Sequence, residues 1–168
     1  MKRIAYMFGM LSLLAVSCSD DDGNDGEETP QEASLVGTWD FVALDATGVD
    51  EQQILLAEDV IEVLIQQNCD ILTFTFADDQ TVTADYRDFT ETGRDVNPDG
   101  SGLLIECPEE VISSTSVWSL EGDQLTFVNG DLTEETVTIE LTATQMIVPA
   151  EIVDEDNLAG AKAIFERQ

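Results

Sequence analysis

The chain has 168 residues, of which 43% are hydrophobic, and its formal net charge at pH 7 is −30. This acidity argues against nucleic acid as a partner, because such binding depends on basic groups that neutralise phosphates. The sequence contains no histidine, which excludes Ser-His-Asp and Cys-His catalytic systems and histidine-containing zinc sites.

The N-terminus has the pattern of a signal peptide. Lys2 and Arg3 precede an apolar run from Ile4 to Val16, about the length of a signal h-region. The run is too short to span a bilayer, which takes about 20 apolar residues, and acidic residues 20–22 follow it closely. We therefore predict that residues 1–17 are removed from the mature protein.

The residues around Cys18 resemble the lipobox of bacterial lipoproteins, in which a small residue precedes a cysteine that becomes residue one. Residues 13–18 read Leu-Leu-Ala-Val-Ser-Cys, with Ala15 at the place where the family prefers Leu. The resemblance implies lipid attachment at Cys18 and a membrane anchor through that lipid. The alternative is an ordinary secretory peptide whose cysteine stays free or forms a disulfide.

Residues 18–34 have the composition of a disordered acidic tether. The segment 19–22, Ser-Asp-Asp-Asp, resembles the signal that carries some lipoproteins to the outer face of the outer membrane, and it implies that location here. Cleavage removes two basic residues and no acidic one, so four basic and 36 acidic residues remain, a net charge of −32. An anionic membrane surface repels this charge, which leaves the lipid as the attachment device.

From Leu35 onward, apolar and polar residues mostly alternate with a period of two, which is typical of half-buried strands. The pattern predicts one domain over 35–168 with about eight strands, at 38–44, 72–76, 81–86, 118–120, 125–127, 137–141, 146–148 and 161–167. Residues 51–67 follow a helical period instead. There Ile54, Ile61 and Leu64 share one stripe with Leu56 beside it, so we expect a helix with a wide apolar face docked on the sheet.

Two cysteines remain beyond Cys18, and an oxidising compartment favours their pairing. We predict a disulfide between Cys69 and Cys107, which would stabilise the fold by about 3 to 4 kcal/mol. The alternative is a pair of buried free thiols. A zinc site is not expected, because histidine and a third thiol ligand are lacking in the domain.

The start of the domain, Gly37-x-Trp39, resembles the Gly-x-Trp opening of lipocalin-like barrels. The order of a strand, a helix, Cys69, further strands and Cys107 is similar to the lipocalin-like domain of small bacterial lipoproteins. The resemblance implies an all-β, antiparallel up-and-down barrel of about eight strands, with one helix between its first and second strands. It also implies that Gly37 and Trp39 close one barrel end by packing.

A barrel of eight strands either fills its interior with side chains or holds one small ligand. We expect a small apolar ligand, lined by Phe74, Phe76, Tyr86 and Phe127, and neither a cofactor nor catalysis, since P-loop, dinucleotide and Gly-x-Ser-x-Gly motifs are absent. The alternative is a filled barrel that recruits proteins or glycans. The oligomeric state does not follow from the sequence.

Residues 95–106 fit the calcium-loop pattern Asp-x-Asn-x-Asp-Gly-x5-Glu, with Asp95, Asn97, Asp99 and Glu106 at the acidic or amide positions. Oxygen ligands at these places suit a hard cation, so a calcium-stabilised surface protein is a second alternative. Against it, Gly102 stands where an apolar residue is usual, and no helical pattern flanks the loop. The competing interpretation is a plain turn built on Pro98 and Gly100.

Overall fold

The computed structural model describes residues 33–89, 95–96, 103–128, 132–154 and 157–168. The strands are β1 (Gly37–Asp45), β2 (Leu72–Phe76), β3 (Thr81–Tyr86), β4 (Asp95–Val96), β5 (Leu103–Leu104), β6 (Ile112–Glu121), β7 (Gln124–Val128), β8 (Glu134–Thr138), β9 (Glu140–Leu141), β10 (Gln145–Pro149) and β11 (Lys162–Arg167). One α-helix, α1 (Gln52–Gln66), follows β1, and a short 3-10 turn (Ala150–Ile152) follows β10. Among the described helices, none has the length and apolarity to cross a membrane.

The predicted signal peptide, the lipid attachment at Cys18 and almost all of the tether lie outside the described residues. They stay predictions. The described chain begins at Ala33 and enters the first strand at Gly37.

Nine strands form one antiparallel sheet in the order β8-β7-β6-β3-β2-β1-β11-β10-β9. Its two outermost strands, β8 and β9, are consecutive in the chain and separated only by Ile139. Ile139 is buried, and its N–H donates to the Asp123 carbonyl at 2.8 Å. The chain bends here, because β8 before this residue pairs with β7 and β9 after it pairs with β10. The bend brings the two sheet edges together, so the sheet nearly closes into a barrel. With β8 and β9 taken as one bent strand, the barrel has eight strands.

Each strand of the barrel pairs with its neighbour in the chain, and β1 pairs with β11 to complete the circuit. This confirms the predicted antiparallel up-and-down barrel with a helix after its first strand. The hairpin of β4 and β5 stands apart as a separate two-stranded sheet.

The antiparallel order defines two barrel ends. β1 starts where Gly37 pairs with Phe76 at the end of β2, and we call this the closed end. β1 finishes at the opposite end, where Asp45 pairs with Lys162 at the start of β11. We call this the open end. Because α1 connects the end of β1 to the start of β2, the helix also lies at the open end.

The hairpin between β2 and β3 turns at the closed end, as its Asp-Asp-Gln sequence predicts. Asp79 accepts hydrogen bonds from the hydroxyl and the N–H of Thr81, at 2.6 and 3.0 Å. These bonds lower the pKa of the Asp79 carboxyl below its ordinary value, because they stabilise its charged form. Gln80 completes the turn with a φ of 67°.

The helix packs one face against β1. Ile54, Val60, Ile61 and Leu64 are buried there, but Leu56 is 42% exposed. Ala57, Val63 and Ile65 also pack against the core, so most of the predicted wide apolar face is covered, and the prediction was wrong only at Leu56. The helix ends at Gln66, and two residues later Asn68, with a φ of 59°, turns the chain so that the Cys69 N–H donates to the Leu64 carbonyl at 3.0 Å.

Phe74 lies at the centre of the barrel core. Its ring centroid is 5.2 Å from that of Phe165, 5.8 Å from that of Phe76 and 6.3 Å from that of Phe127. Aromatic pairs at such distances contribute about 0.5 to 1.5 kcal/mol each beyond the area they bury. The rings come from strands on both sides of the barrel, so they hold its walls together.

The predicted disulfide between Cys69 and Cys107 is confirmed, with the two Cα atoms 5.7 Å apart. It joins the end of α1 to the segment that leads into β6. Close by, Arg87 ties the same two regions: its Nε donates to the Asp70 carbonyl at 3.0 Å, and its Nη1 donates to the Pro108 carbonyl at 2.6 Å. The covalent bond and the guanidinium together fix this part of the open end.

Candidate ligand-binding site

The closed end is built around Trp39, whose side chain is 0% exposed. Its indole N–H donates to the Leu35 carbonyl at 2.8 Å. The guanidinium carbon of Arg167 lies 4.3 Å from the centre of the ring, in a cation–π contact. Trp39 thus packs and hydrogen-bonds inside this end, as the resemblance implied.

Arg167, for which the sequence predicted no role, covers the closed end. Its Nε donates to the Ala143 carbonyl at 2.8 Å, its Nη1 to the Val36 carbonyl at 2.8 Å, and its Nη2 to the Ser34 carbonyl. Gly37 lies directly beneath the guanidinium: a Cβ at this position would stand 2.5 Å from Nη1, and its φ is 141°. The backbone conformation therefore favours glycine here, and any larger residue would also displace the guanidinium. Basic residues are scarce in this chain, and this scarcity is the only feature of the sequence that distinguishes Arg167.

The open end contains two adjoining cavities, which together we call the open-end cleft. The first has a volume of about 260 Å³ and the second about 170 Å³. They share Phe74, Ala84, Ser114 and Ile152. Tyr86 and Phe89 line the first cavity, and Phe127 and Val82 the second. The walls are thus mainly aromatic and aliphatic, with the Ser114 hydroxyl as the polar group common to both.

The cleft exists because, in one row of paired residues across three neighbouring strands, a large side chain is next to two small ones. Phe74 on β2 pairs with Ala84 on β3, and Ala84 pairs with Ser114 on β6. In the next row toward the closed end, Ser116 again places a small side chain inward, opposite Val82. Its hydroxyl donates to the Val128 carbonyl at 2.6 Å. Phe74 therefore forms the floor of a space that Ala84 and Ser114 leave empty.

Three of the four predicted lining residues lie at the cleft. Phe74 lines both cavities, Tyr86 the first and Phe127 the second. Phe76 lines neither; it is 1% exposed and packs edge-on against Trp118, with centroids 5.5 Å apart. Phe76 faces the interior as its strand period requires, but one row closer to the closed end.

Ser114, Ile152 and Arg87 also line the first cavity, although the sequence did not predict them there. The signal for Ser114 was a run of small polar residues, Ser113 to Ser116, in a place where inward positions should be apolar. Ile152 reaches the cleft from the 3-10 turn after β10, and local sequence does not indicate this approach.

Charged side chains surround the apolar walls. Asp88, Asp154 and Arg87 line the first cavity, and Glu135 lines the second. The Glu135 side chain reaches the cleft from β8, where it pairs with Phe127 on β7. Among its described lining residues, the cleft thus carries three carboxylates and one guanidinium.

The predicted calcium loop lies mostly outside the described residues, so calcium binding there stays a prediction. Its flanks form a hairpin, in which Asp95 pairs with Leu104 and Val96 with Leu103. A hairpin accords with the interpretation as a turn. Within the described part of the chain, no group of three or more His, Cys, Asp or Glu residues is placed to hold a metal ion.

Two solved structures resemble this chain at 14% sequence identity and a TM-score of 0.41. One is a lipocalin-like protein from Bacteroides uniformis, for which the match covers 80% of this chain and 98% of that chain. The other is an uncharacterised protein from Bacteroides eggerthii, for which the match covers 80% of this chain and all of the other. No curated protein matches the chain significantly.

The sequence pattern of the lipocalin-like domain matches residues 35–148, which is more than half of the chain. This stretch contains Gly37 and Trp39, the helix, both disulfide cysteines and most of the cleft. The chain therefore belongs to the lipocalin-like domain family.

Proposed function

We propose that this protein is an exported lipoprotein that binds a small, largely apolar ligand in the open-end cleft and does not catalyse a reaction. The observation that carries the proposal is the cleft itself, with Phe74 as its floor and with space left by Ala84 and Ser114. Ligand sites typically have volumes of about 300 to 1,000 Å³ and mostly apolar walls. Two adjoining cavities of about 260 and 170 Å³ suit a ligand at the small end of this range.

The alternative of a filled barrel that recruits proteins or glycans has less support. The aromatic core does fill the closed end, around Phe76 and Trp39. At the open end, however, side chains leave the cleft empty.

The proposal includes a lipid anchor at Cys18 and a location on the outer face of the outer membrane. The N-terminal segment joins the barrel at the closed end, through Ser34 and Leu35. The cleft lies at the other end of the barrel. The chain therefore enters the barrel at the end away from the cleft.

A blocked cleft tests the binding function. We expect Ser114→Phe to weaken binding of the neutral apolar fluorophore N-phenyl-1-naphthylamine at least about tenfold, since the new ring would occupy both cavities. The matched control is Thr115→Phe, which adds the same ring to the next residue of β6, on the outer face of the barrel. Fluorescence titration measures the affinity of each variant for the fluorophore. Equal binding by wild type and a correctly folded Ser114→Phe variant would refute the proposal.

The anchor is tested separately. In a host that processes lipoproteins, the wild-type protein should partition into the detergent phase of Triton X-114 and have the mass of an acylated chain that starts at Cys18. Cys18→Ala should remain in the aqueous phase, because the attached chains supply the membrane affinity. Surface proteolysis of intact cells reports which face of the membrane carries the barrel. An unacylated wild-type protein would contradict the proposed anchor.

A further inference from the structure

The open-end cleft combines aromatic walls with an excess of negative charge. Asp88, Asp154 and Glu135 line it, whereas Arg87 is the basic residue among its described lining residues. The groove between α1 and β1, at the same end, adds Glu58, Asp59 and Glu62. Any ligand that reaches the open end therefore meets a negative potential, on a chain whose net charge is −30.

Arg87 is poorly placed to receive an anionic ligand. Its Nε donates to the Asp70 carbonyl, and its Nη1 donates to the carbonyls of Pro108 and Glu109, at 2.6 and 3.0 Å. A bidentate bond to a ligand carboxylate needs two guanidinium N–H groups directed at it. Turning Arg87 toward the cleft would break the bonds that fix the wall beside the disulfide. Its role is to hold backbone segments together.

The carboxylates of Asp154 and Glu135 border the cleft, one in each cavity. Asp154 accepts hydrogen bonds from the Asn157 amide nitrogen, at 3.0 and 2.8 Å, and that donor is neutral. Glu135 is exposed on β8. In the described ranges, the ion pair formed by Lys162 involves Glu140 and neither of these two carboxylates. The carboxylates of Asp154 and Glu135 are thus accessible to a ligand.

The aromatic walls add a second attraction for a cation. A cationic group within about 6 Å of a ring centre is attracted by the negative face of the π-system, and quaternary ammonium groups are recognised in this way. Phe74, Tyr86 and Phe127 supply such rings around the cavities that the carboxylates border. A hydrocarbon body would occupy the apolar interior while an ammonium group stays at the acidic rim.

We propose that the open-end cleft selects apolar molecules with an ammonium group and rejects those with a carboxylate. The inference rests on the proposed binding function and names the chemical class of its ligand. A fatty acid would have to place its negative charge beside the carboxylates of Glu135 and Asp154, which would repel it. Both carboxylates would instead attract an alkylammonium ion.

The test compares three ligands with the same ten-carbon chain, decyltrimethylammonium, decanol and decanoate, as competitors of N-phenyl-1-naphthylamine below their micellar concentrations. The protein is the complete mature chain from residue 18 with Cys18→Ala, so that no attached acyl chain competes. We expect decyltrimethylammonium to bind at least about tenfold more tightly than decanoate in about 20 mM NaCl. The ratio should shrink in about 500 mM NaCl, because salt screens exposed charges.

The double variant Glu135→Gln with Asp154→Asn should lose most of this preference, with a larger fall in its affinity for decyltrimethylammonium than in its affinity for decanol. The matched control is Glu121→Gln with Asp78→Asn, which removes the same charge from turns at the closed end and should keep the preference. Equal binding of the cation and the carboxylate, or a preference that survives in the cleft variant, would overturn the inference and leave the binding function standing. If neither decanol nor the fluorophore binds, the binding function itself fails.

Discussion

Trp39→Ala is expected to lower the free energy of unfolding by about 3 to 5 kcal/mol, the usual cost of truncating a fully buried large aromatic residue. The side chain is completely buried, its indole N–H is bonded to Leu35, and its ring supports the guanidinium of Arg167. Total stabilities of single domains are about 5 to 15 kcal/mol, so this one change removes a large share. Urea denaturation of the two proteins measures the difference.

The matched control is Trp118→Ala. Trp118 is only partly buried, although its indole N–H also donates to a carbonyl, that of Thr81 at 3.0 Å. Trp118→Ala should therefore lower the free energy of unfolding by less than Trp39→Ala does. Arg167→Met separates the two contributions at the closed end, because it keeps an apolar stem over the ring and removes the guanidinium. Equal losses for Trp39→Ala and Trp118→Ala would show that the closed end does not depend on Trp39.

Replacing both Cys69 and Cys107 by Ala is expected to lower the free energy of unfolding by about 3 to 4 kcal/mol, because the unfolded chain regains the entropy of a long open loop. The two cysteines are separated by 38 positions in the chain. Changing both avoids leaving a free thiol. A reducing agent should lower the melting temperature of the wild-type protein and leave that of the double variant unchanged.

Cys18→Ala is the control for the disulfide, since this residue precedes the barrel and should not alter its melting temperature. The same samples allow thiol titration under denaturing conditions. Two reactive thiols from Cys69 and Cys107 in the unreduced protein would contradict the disulfide. A double variant as stable as the wild type would instead show that Arg87 and the core suffice to hold this part of the open end.

The alternating strands were predictable because each has one face in the core. In β2, Leu72, Phe74 and Phe76 are buried, whereas Thr73 and Thr75 are not. In β7, Leu125 and Phe127 are buried in the same way. The period of two in the sequence matches this alternation of buried and exposed positions. The strands and the hairpins that join them can therefore be predicted from local sequence.

The first half of β6 was not predictable by the same argument. The pattern indicated the strand from Trp118 onward, but the strand begins at Ile112. Its inward positions 114 and 116 hold serines, so no apolar alternation marks the segment. The absence of large side chains that concealed the strand is also what opens the cleft. The same physical reason therefore explains why neither the start of this strand nor the cleft was predicted.

The sequence by itself determined the order of the strands, the helix after the first of them, the disulfide cysteines and the Gly37-x-Trp39 end, because each depends on residues close in the chain or on a distinctive residue type. Tertiary structure decided what happens between distant segments. It set Arg167 on Trp39, bent the chain at Ile139 to close the barrel, and brought Ile152 and Glu135 to a cleft floored by Phe74. These contacts join strands far apart in the chain, and only closure of the barrel brings them within reach.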